Sequence, residues 1–220
     1  MNTFKYLASA LTLVIMSTGV ANAEDSDWGI GVKAGTLGVG VEARWHKLPL
    51  IDFRIGGNAY TYEDDGGQAG NLYAAEWDLE TYYLTANLNF PVSPFRLTVG
   101  AMSNSNTFYM VGAETGDYVF DGLPFSQGDV GILTGTVSFE DFAPYAGIGI
   151  DFELFGKAGL NFDLGVLFQG DPVVELSGTG TEWGDVTFDA AVAAEELDIA
   201  DKFDKFKAYP VISLAFVYNF

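Results

Sequence analysis

Eight stretches of this chain alternate apolar with small or polar residues at period two, and few folds accommodate that pattern eight times. The last stretch is the plainest. Counting back from Phe220, Tyr218, Phe216, Leu214 and Ile212 share one face, while Asn219, Val217, Ala215 and Ser213 share the other. The first stretch places Trp28, Ile30, Val32 and Ala34 together. Leu37, Val39, Val41, Ala43 and Trp45 continue the apolar face with opposite parity. A two-residue hairpin at Gly35-Thr36 produces such a flip, and so does a β-bulge. Ile51, Phe53, Ile55, Gly57 and Ala59 form the third apolar face, and Tyr82, Leu84, Ala86, Leu88 and Phe90 the fourth. The fifth begins at Phe95 and Leu97, the sixth carries Ile148, Ile150 and Phe152, and the seventh carries Leu160, Phe162 and Leu164.

The spacing of these stretches is uneven in a regular way. Connections are short at 46–50, 91–94 and 155–159, and long at 62–72, 103–142 and 170–208. Short turns at one end and long loops at the other, with an even strand number, predict an up-and-down barrel with both termini at the short-turn end. The long connection 103–142 has β-rich pieces without sustained alternation. The last one carries a helical signal over 189–207, with Asp189, Glu195 and Glu196 early and Lys202, Lys205 and Lys207 late, as the helix dipole favours. Its apolar stripe is weak: Val192, Ile199, Phe203 and Phe206. Such a helix could cap the barrel mouth, lie on a lipid surface or fill the loop.

Residues 1–23 have the marks of a cleaved export signal: Lys5, an apolar run from Leu7 to Met16, and Ala21-Asn22-Ala23. Residues 24–220 then make one domain. No later stretch offers eighteen consecutive apolar residues, so no transmembrane helix is expected after the leader. The chain has no cysteine, so stability must come from burial or from closing the sheet. Its formal net charge is −20, and loss of the leader with Lys5 makes it one unit more negative. That charge excludes nucleic acid as a partner, because phosphates would be repelled.

Which face meets which medium follows from residue types. The apolar stripes carry no charge within the strand spans, whereas the opposite face is rich in Gly38, Gly40, Gly100, Gly147, Gly149 and Gly165 and also carries charge. The interior of an eight-stranded barrel is narrow enough to need small residues. The expectation is therefore an all-β, eight-stranded antiparallel up-and-down transmembrane β-barrel, apolar outside, with one short helix in the last long loop. Trp45, Phe53, Phe90, Phe95, Phe152, Phe162, Tyr218 and Phe220 fall on the apolar face near the short turns, as an interfacial aromatic belt would. Lys33, Glu42, Arg44, Asp52, Arg54, Arg96, Asp151, Glu153 and Asp163 fall on the inner face, where a charge without a partner costs several kcal/mol. They are expected to form a lumenal ion-pair network that closes the barrel.

Sites for chemistry are scarce. The one histidine, His46, lies at the short-turn end, far from any outer-leaflet substrate. There is no Gly-x-Ser-x-Gly elbow, no cysteine ligand set and no phosphate-binding loop, so no catalytic residues, no cofactor and no enzymatic activity are expected. Acids crowd the loops; Glu63, Asp64 and Asp65 are weak candidates for a cation site, and solvation of the loops explains them more simply.

The terminal strand Tyr209-Pro-Val-Ile-Ser-Leu-Ala-Phe-Val-Tyr-Asn-Phe220 resembles the last strand of Gram-negative outer-membrane barrels, where a final Phe after alternating aromatics is an assembly signal. At the level of pattern the whole of 28–220 is similar to the small barrels of the OmpA transmembrane domain, OmpX and OmpW families. Val32-Lys-Ala-Gly-Thr-Leu-Gly38 and Leu164-Gly-Val-Leu-Phe-Gln-Gly170 look most like an uncharacterised proteobacterial group of such barrels. The resemblance implies the outer membrane as location and a monomer as the state. It implies membrane lipid, lipopolysaccharide and the barrel assembly machinery as partners. Two functions are compatible with it: a structural or surface-interaction barrel with a plugged lumen, or a narrow OmpW-like channel for small solutes, which an apolar-lined lumen would favour.

Overall fold

The computed structural model describes residues 27–64, 72–112 and 116–220. The leader at 1–23 and Asp65 lie outside these. Eight strands close into a barrel: β1 (Trp28–Gly35), β2 (Gly38–Trp45), β3 (Ile51–Asp64), β4 (Leu72–Asn89), β5 (Phe95–Asn104), β10 (Phe142–Phe155), β11 (Ala158–Phe168) and β13 (Ala208–Asn219). Every neighbouring pair is antiparallel, and the terminal strand closes the ring by pairing β1 from Gly29↔Asn219 to Gly35↔Ser213. The alternation was the cause: each strand has one face that gains by leaving water and one that fits a narrow interior, and a closed ring leaves no edge unpaired.

The apolar faces point out. Val32, Ile55, Leu84, Val99, Ile148, Leu164, Leu214 and Phe216 are exposed on the outside, while Asp52, Arg54, Asn87, Arg96, Thr98 and Asp163 are buried inside. No helix among the described residues is long and apolar enough to cross a membrane. At the short-turn end Trp45 stacks on Phe53 at 5.8 Å and Tyr218 meets Phe220 edge-on at 5.7 Å. Phe90, Phe95, Phe152 and Phe162 stand exposed beside them. A second outward set, Tyr82, Phe142 and Phe168, stands near the other end. From Phe142 to Phe152 the chain advances ten residues, about 33 Å along a strand. At a tilt of 35–45° this projects to about 25 Å, the height of a membrane barrel's apolar band.

The Gly35-Thr36 ambiguity resolves as a hairpin. Gly35 pairs with Gly38 across the two-residue turn Thr36-Leu37, and Gly38 adopts φ +98°, where a side chain would be strained. This corrects one expectation: Leu37 does not join the outward stripe but turns inward, 4% exposed. At the long-loop end this connection has only two residues. The barrel wall is therefore low at β1 and β2 and tall at β3 and β4.

Above the barrel, strand pairing continues on one side. The upper half of β4 pairs β6 (Thr107–Gly112), which pairs β9 (Thr134–Ser138), which pairs β12 (Val173–Ser177). A hairpin of β7 (Tyr118–Phe120) and β8 (Leu123–Phe125) and a single helical turn, α1 (Gln127–Val130), complete the connection 103–142. The predicted helix is α2 (Val186–Phe203), followed by a 3-10 turn over Asp204–Phe206. It starts earlier than expected because the Asp185 carboxylate caps it, accepting from the backbone N–H of Thr187 at 2.8 Å and of Phe188 at 3.2 Å. Its first turns bury Phe188, Ala191 and Val192 against Tyr118, Phe120 and Val130, a second small core separate from the barrel interior. Its last turn packs Phe203 on Phe108 and, with Phe206, on Trp77. The helix thus covers the loop sheet. Its end is tied back where the Lys207 ammonium lies 2.7 Å from Asp171 and 2.6 Å from Asp204, hydrogen bonds that raise its pKa.

A separate core predicts separate unfolding. Phe188→Ala should cost about 3–5 kcal/mol within the loop unit. Limited proteolysis should then cut residues 116–140 and 172–206, while the barrel keeps its folded mobility on a heat-modifiability gel.

Candidate functional site

Among the described residues, the barrel interior gathers most of the ion pairs. Lys33 on β1, Glu42 and Arg44 on β2, and Asp52 and Arg54 on β3 meet Arg96 on β5, Asp151 on β10 and Asp163 on β11. Asp163 is the hub. Both its oxygens accept from Arg54 on the facing strand β3, at 3.2 Å each, and Arg96 contacts it from β5, two strands away around the ring. Arg96 also reaches Asp151, and Arg44 lies 2.6 Å from Asp52 and 3.4 Å from Asp151. Further up, Glu42 lies 3.8 Å from both Lys33 and Arg54 and accepts from the Tyr83 hydroxyl at 2.9 Å.

Four cations thus face four carboxylates, so the interior is neutral in a chain of formal charge −20. Neutrality is what burial demands: Arg96 is 1% and Asp163 3% exposed, and no charge of that depth persists without a partner.

Glu153 is a correction. It was expected in this network, but it is exposed near the end of β10, just before the register shift between Glu153 and Phe155, and makes no ion pair among the described residues. Its pairing with Gly159 keeps the inner-face parity, but it stands beyond Ile150, the last β10 residue paired with β5, where the short-turn end of the barrel is open. Conversely, several uncharged partners carry no charge signal in the sequence. Asn87 accepts from Arg54 at 2.7 Å and donates to Asp52, Asn89 donates to Asp52 at 2.6 Å, and the Thr98 hydroxyl donates to Asn87 at 2.7 Å. Inner-face parity was their only mark.

Above the ionic layers lies an apolar one that charge and glycine did not announce. Leu37, Tyr83, Met102, Ala143, Tyr145, Leu167 and Val211 form one buried cluster across the barrel. Gly147 and Gly165, paired across β10 and β11, make the slot for Tyr145. A Cβ on Gly147 would lie 2.7 Å from its hydroxyl, and one on Gly165 would lie 2.6 Å from its ring. Between the two zones the interior cavity is about 20 Å³, room for about one water. An apolar lining was expected to favour a channel; here the seven side chains pack against one another in one buried cluster.

The other candidate sites are thin. His46 lies at the short-turn end, where its backbone N–H donates to the Asp27 carbonyl at 2.8 Å. Among the described residues no group of three or more His, Cys, Asp or Glu side chains could hold a metal ion. Glu63 and Asp64 end β3, and Asp65 lies outside the described residues.

No protein-family model matches the chain, and neither does any curated protein. Solved structures do. The chain is similar to Acinetobacter baumannii CarO, with TM-score 0.56 and 24% identity over 87% of this chain and 97% of that one. It is also similar to Acinetobacter baumannii CarO2, with TM-score 0.59 and 22% identity over 90% of this chain and 100% of that one. At these identities the likeness shows the fold alone: a closed, eight-stranded antiparallel barrel.

Proposed function

We propose that this protein is an outer-membrane barrel whose interior is a structural salt-bridge core and whose work is done by the acidic long-loop face. The reading rests on one observation: stacked ionic and apolar layers fill the lumen and leave about 20 Å³ between them. A solute larger than water would have to break ion pairs and displace Leu37, Met102 and Leu167 together. The outward apolar band, its aromatic rims and the fold shared with CarO support the membrane location. The protein is a monomer in this reading, delivered by the barrel assembly machinery through β13. Its loop unit meets lipopolysaccharide, with divalent cations bridging the acids to phosphates, and the barrel is not an enzyme.

Planar-bilayer recording separates this from the narrow-channel reading. The purified chain is expected to insert and give no steady conductance. A steady conductance that disappears in Arg96→Ala would overturn the plugged interior. Turnover of labelled lipopolysaccharide or phospholipid by the purified protein would overturn the non-enzymatic reading.

A further inference from the structure

The two-residue hairpin leaves a notch in the barrel wall. β13 and β3 stand on either side of β1 and β2, and both continue beyond it: β3 runs on from Ala59, the partner of Val39, to Asp64, and β13 reaches back from Ser213 to Ala208. Three strand spacings separate β13 from β3, about 14 Å. Behind the gap, Tyr60, Tyr62, Trp77, Leu79 and Tyr209 line a groove of about 400 Å³ that has no charged residue in its lining. Tyr60 and Tyr62 are about half exposed, although they lie on the inner-face parity of β3.

Strand length places this groove relative to the bilayer. β1 and β2 have eight residues each. At about 3.3 Å per residue and a tilt of 35–45° they rise about 20 Å, short of the roughly 25 Å apolar band and of the 9–11 residues a spanning strand needs. Trp28 and Trp45 pair at the short-turn end of this hairpin, so the missing height is all at the other end. The sill of the notch is thus level with hydrocarbon. Ala34 and Val39, which face outward just below it, belong to both the outer surface and the groove lining. A largely apolar, uncharged surface runs from the outside of the barrel, past Thr36 on the hairpin, onto inward-facing aromatics.

The sill is fixed. The Tyr209 hydroxyl donates to the Thr36 carbonyl at 2.8 Å, the Thr36 hydroxyl donates to the Pro210 carbonyl at 3.0 Å, and the backbone N–H of Thr36 donates to the Ile212 carbonyl at 2.9 Å. Beneath it, buried Leu37 separates the groove from the ionic interior.

We propose that this notch is a lateral docking site for an acyl chain of a membrane lipid in the leaflet at the long-loop end. The inference rests on the membrane-spanning orientation. A gap of this width, at contact distances of roughly 4 Å, holds one or two hydrocarbon chains. The uncharged lining takes the chain and leaves the headgroup at the rim. The chain cannot continue into the barrel, because the Leu37 layer ends the groove.

The four tryptophans allow a direct test. The full chain is reconstituted in phosphatidylcholine vesicles with brominated or plain acyl chains. In the unmodified protein, outward Trp28 and Trp45 should be quenched, which reports the orientation on its own. In Trp28→Phe/Trp45→Phe the remaining rings are Trp77 in the groove and Trp183. Trp183 is held in the loop core, with its indole N–H donating to the Val130 carbonyl at 2.9 Å. Brominated lipid should remove most of the Trp77 emission, and adding Trp77→Phe should abolish the quenching. If Trp77→Phe does not fold, phosphatidylcholine spin-labelled on its chain should broaden the Leu79 methyl resonances and spare those of Leu167. Quenching of Trp28 and Trp45 with Trp77 untouched would overturn the site alone. Quenching of Trp77 by free bromostearate but not by brominated phospholipid would overturn a membrane lipid as the occupant. No quenching of Trp28 or Trp45 would overturn the orientation beneath it.

Discussion

Asp163→Ala should destabilise the barrel by about 3–5 kcal/mol, because it leaves Arg54 unpaired at its bidentate contact and strips Arg96 of one of its two carboxylates at full burial. The readout is the urea midpoint of unfolding from vesicles, followed by gel mobility. The loss comes from the orphaned guanidiniums more than from the missing contact, so removing a cation as well should recover part of it. Arg54→Met combined with Asp163→Leu should cost less than the sum of the single changes, with a coupling of about 0.5–3 kcal/mol. Strict additivity would mean that the pair does not interact as the 3.2 Å contacts state.

Phe216→Arg should be as damaging for a different reason. Phe216 is 47% exposed and Leu197 on α2 is 70% exposed, so accessibility alone makes the helix residue the more open of the two. Their surroundings differ. Phe216 pairs Val32 and Leu160 on the outward apolar face, where an arginine meets hydrocarbon at a cost of up to about 2–4 kcal/mol. Leu197→Arg meets water and should change stability by less than about 0.5 kcal/mol. Folding yield into vesicles measures both, and equal tolerance at the two positions would count against a lipid-facing exterior.

The barrel was legible because its strands are long and their two faces answer to opposite media. Ile212 to Phe220, Phe95 to Met102 and Leu160 to Phe168 can each be set in register by parity alone, and parity placed Arg54, Arg96 and Asp163 on one interior before any geometry. What escaped has local causes. Leu37 lies in the turn itself, where alternation stops. Glu153 keeps its parity but lies past the last pairing of β10 with β5, where the interior opens. The loop sheet joins β4, β6, β9 and β12 through strands of five to six residues on the loop side, separated by a hairpin, a helical turn and two barrel strands. Such short runs hold too few alternations to be told from irregular chain, and non-local pairing leaves no mark in a linear pattern. The apolar lumenal layer was hidden differently. Met102, Tyr145, Leu167 and Val211 sit on the inner face, but beside charged and glycine neighbours they do not read as a plug. The notch needed the length of β1 against that of β3, a comparison that the turn position makes only once it is known.

Everything turns on which face of the strands meets lipid, and the absence of native cysteine makes that measurable residue by residue. Single cysteines at Ile212, Ser213, Leu214, Ala215, Phe216 and Val217, spin-labelled in vesicles, should alternate. Positions 212, 214 and 216 should respond to membrane-dissolved oxygen, and 213, 215 and 217 to neither oxygen nor a water-soluble nickel chelate. The opposite alternation, or a folded protein that stays in solution without detergent or lipid, would contradict the account.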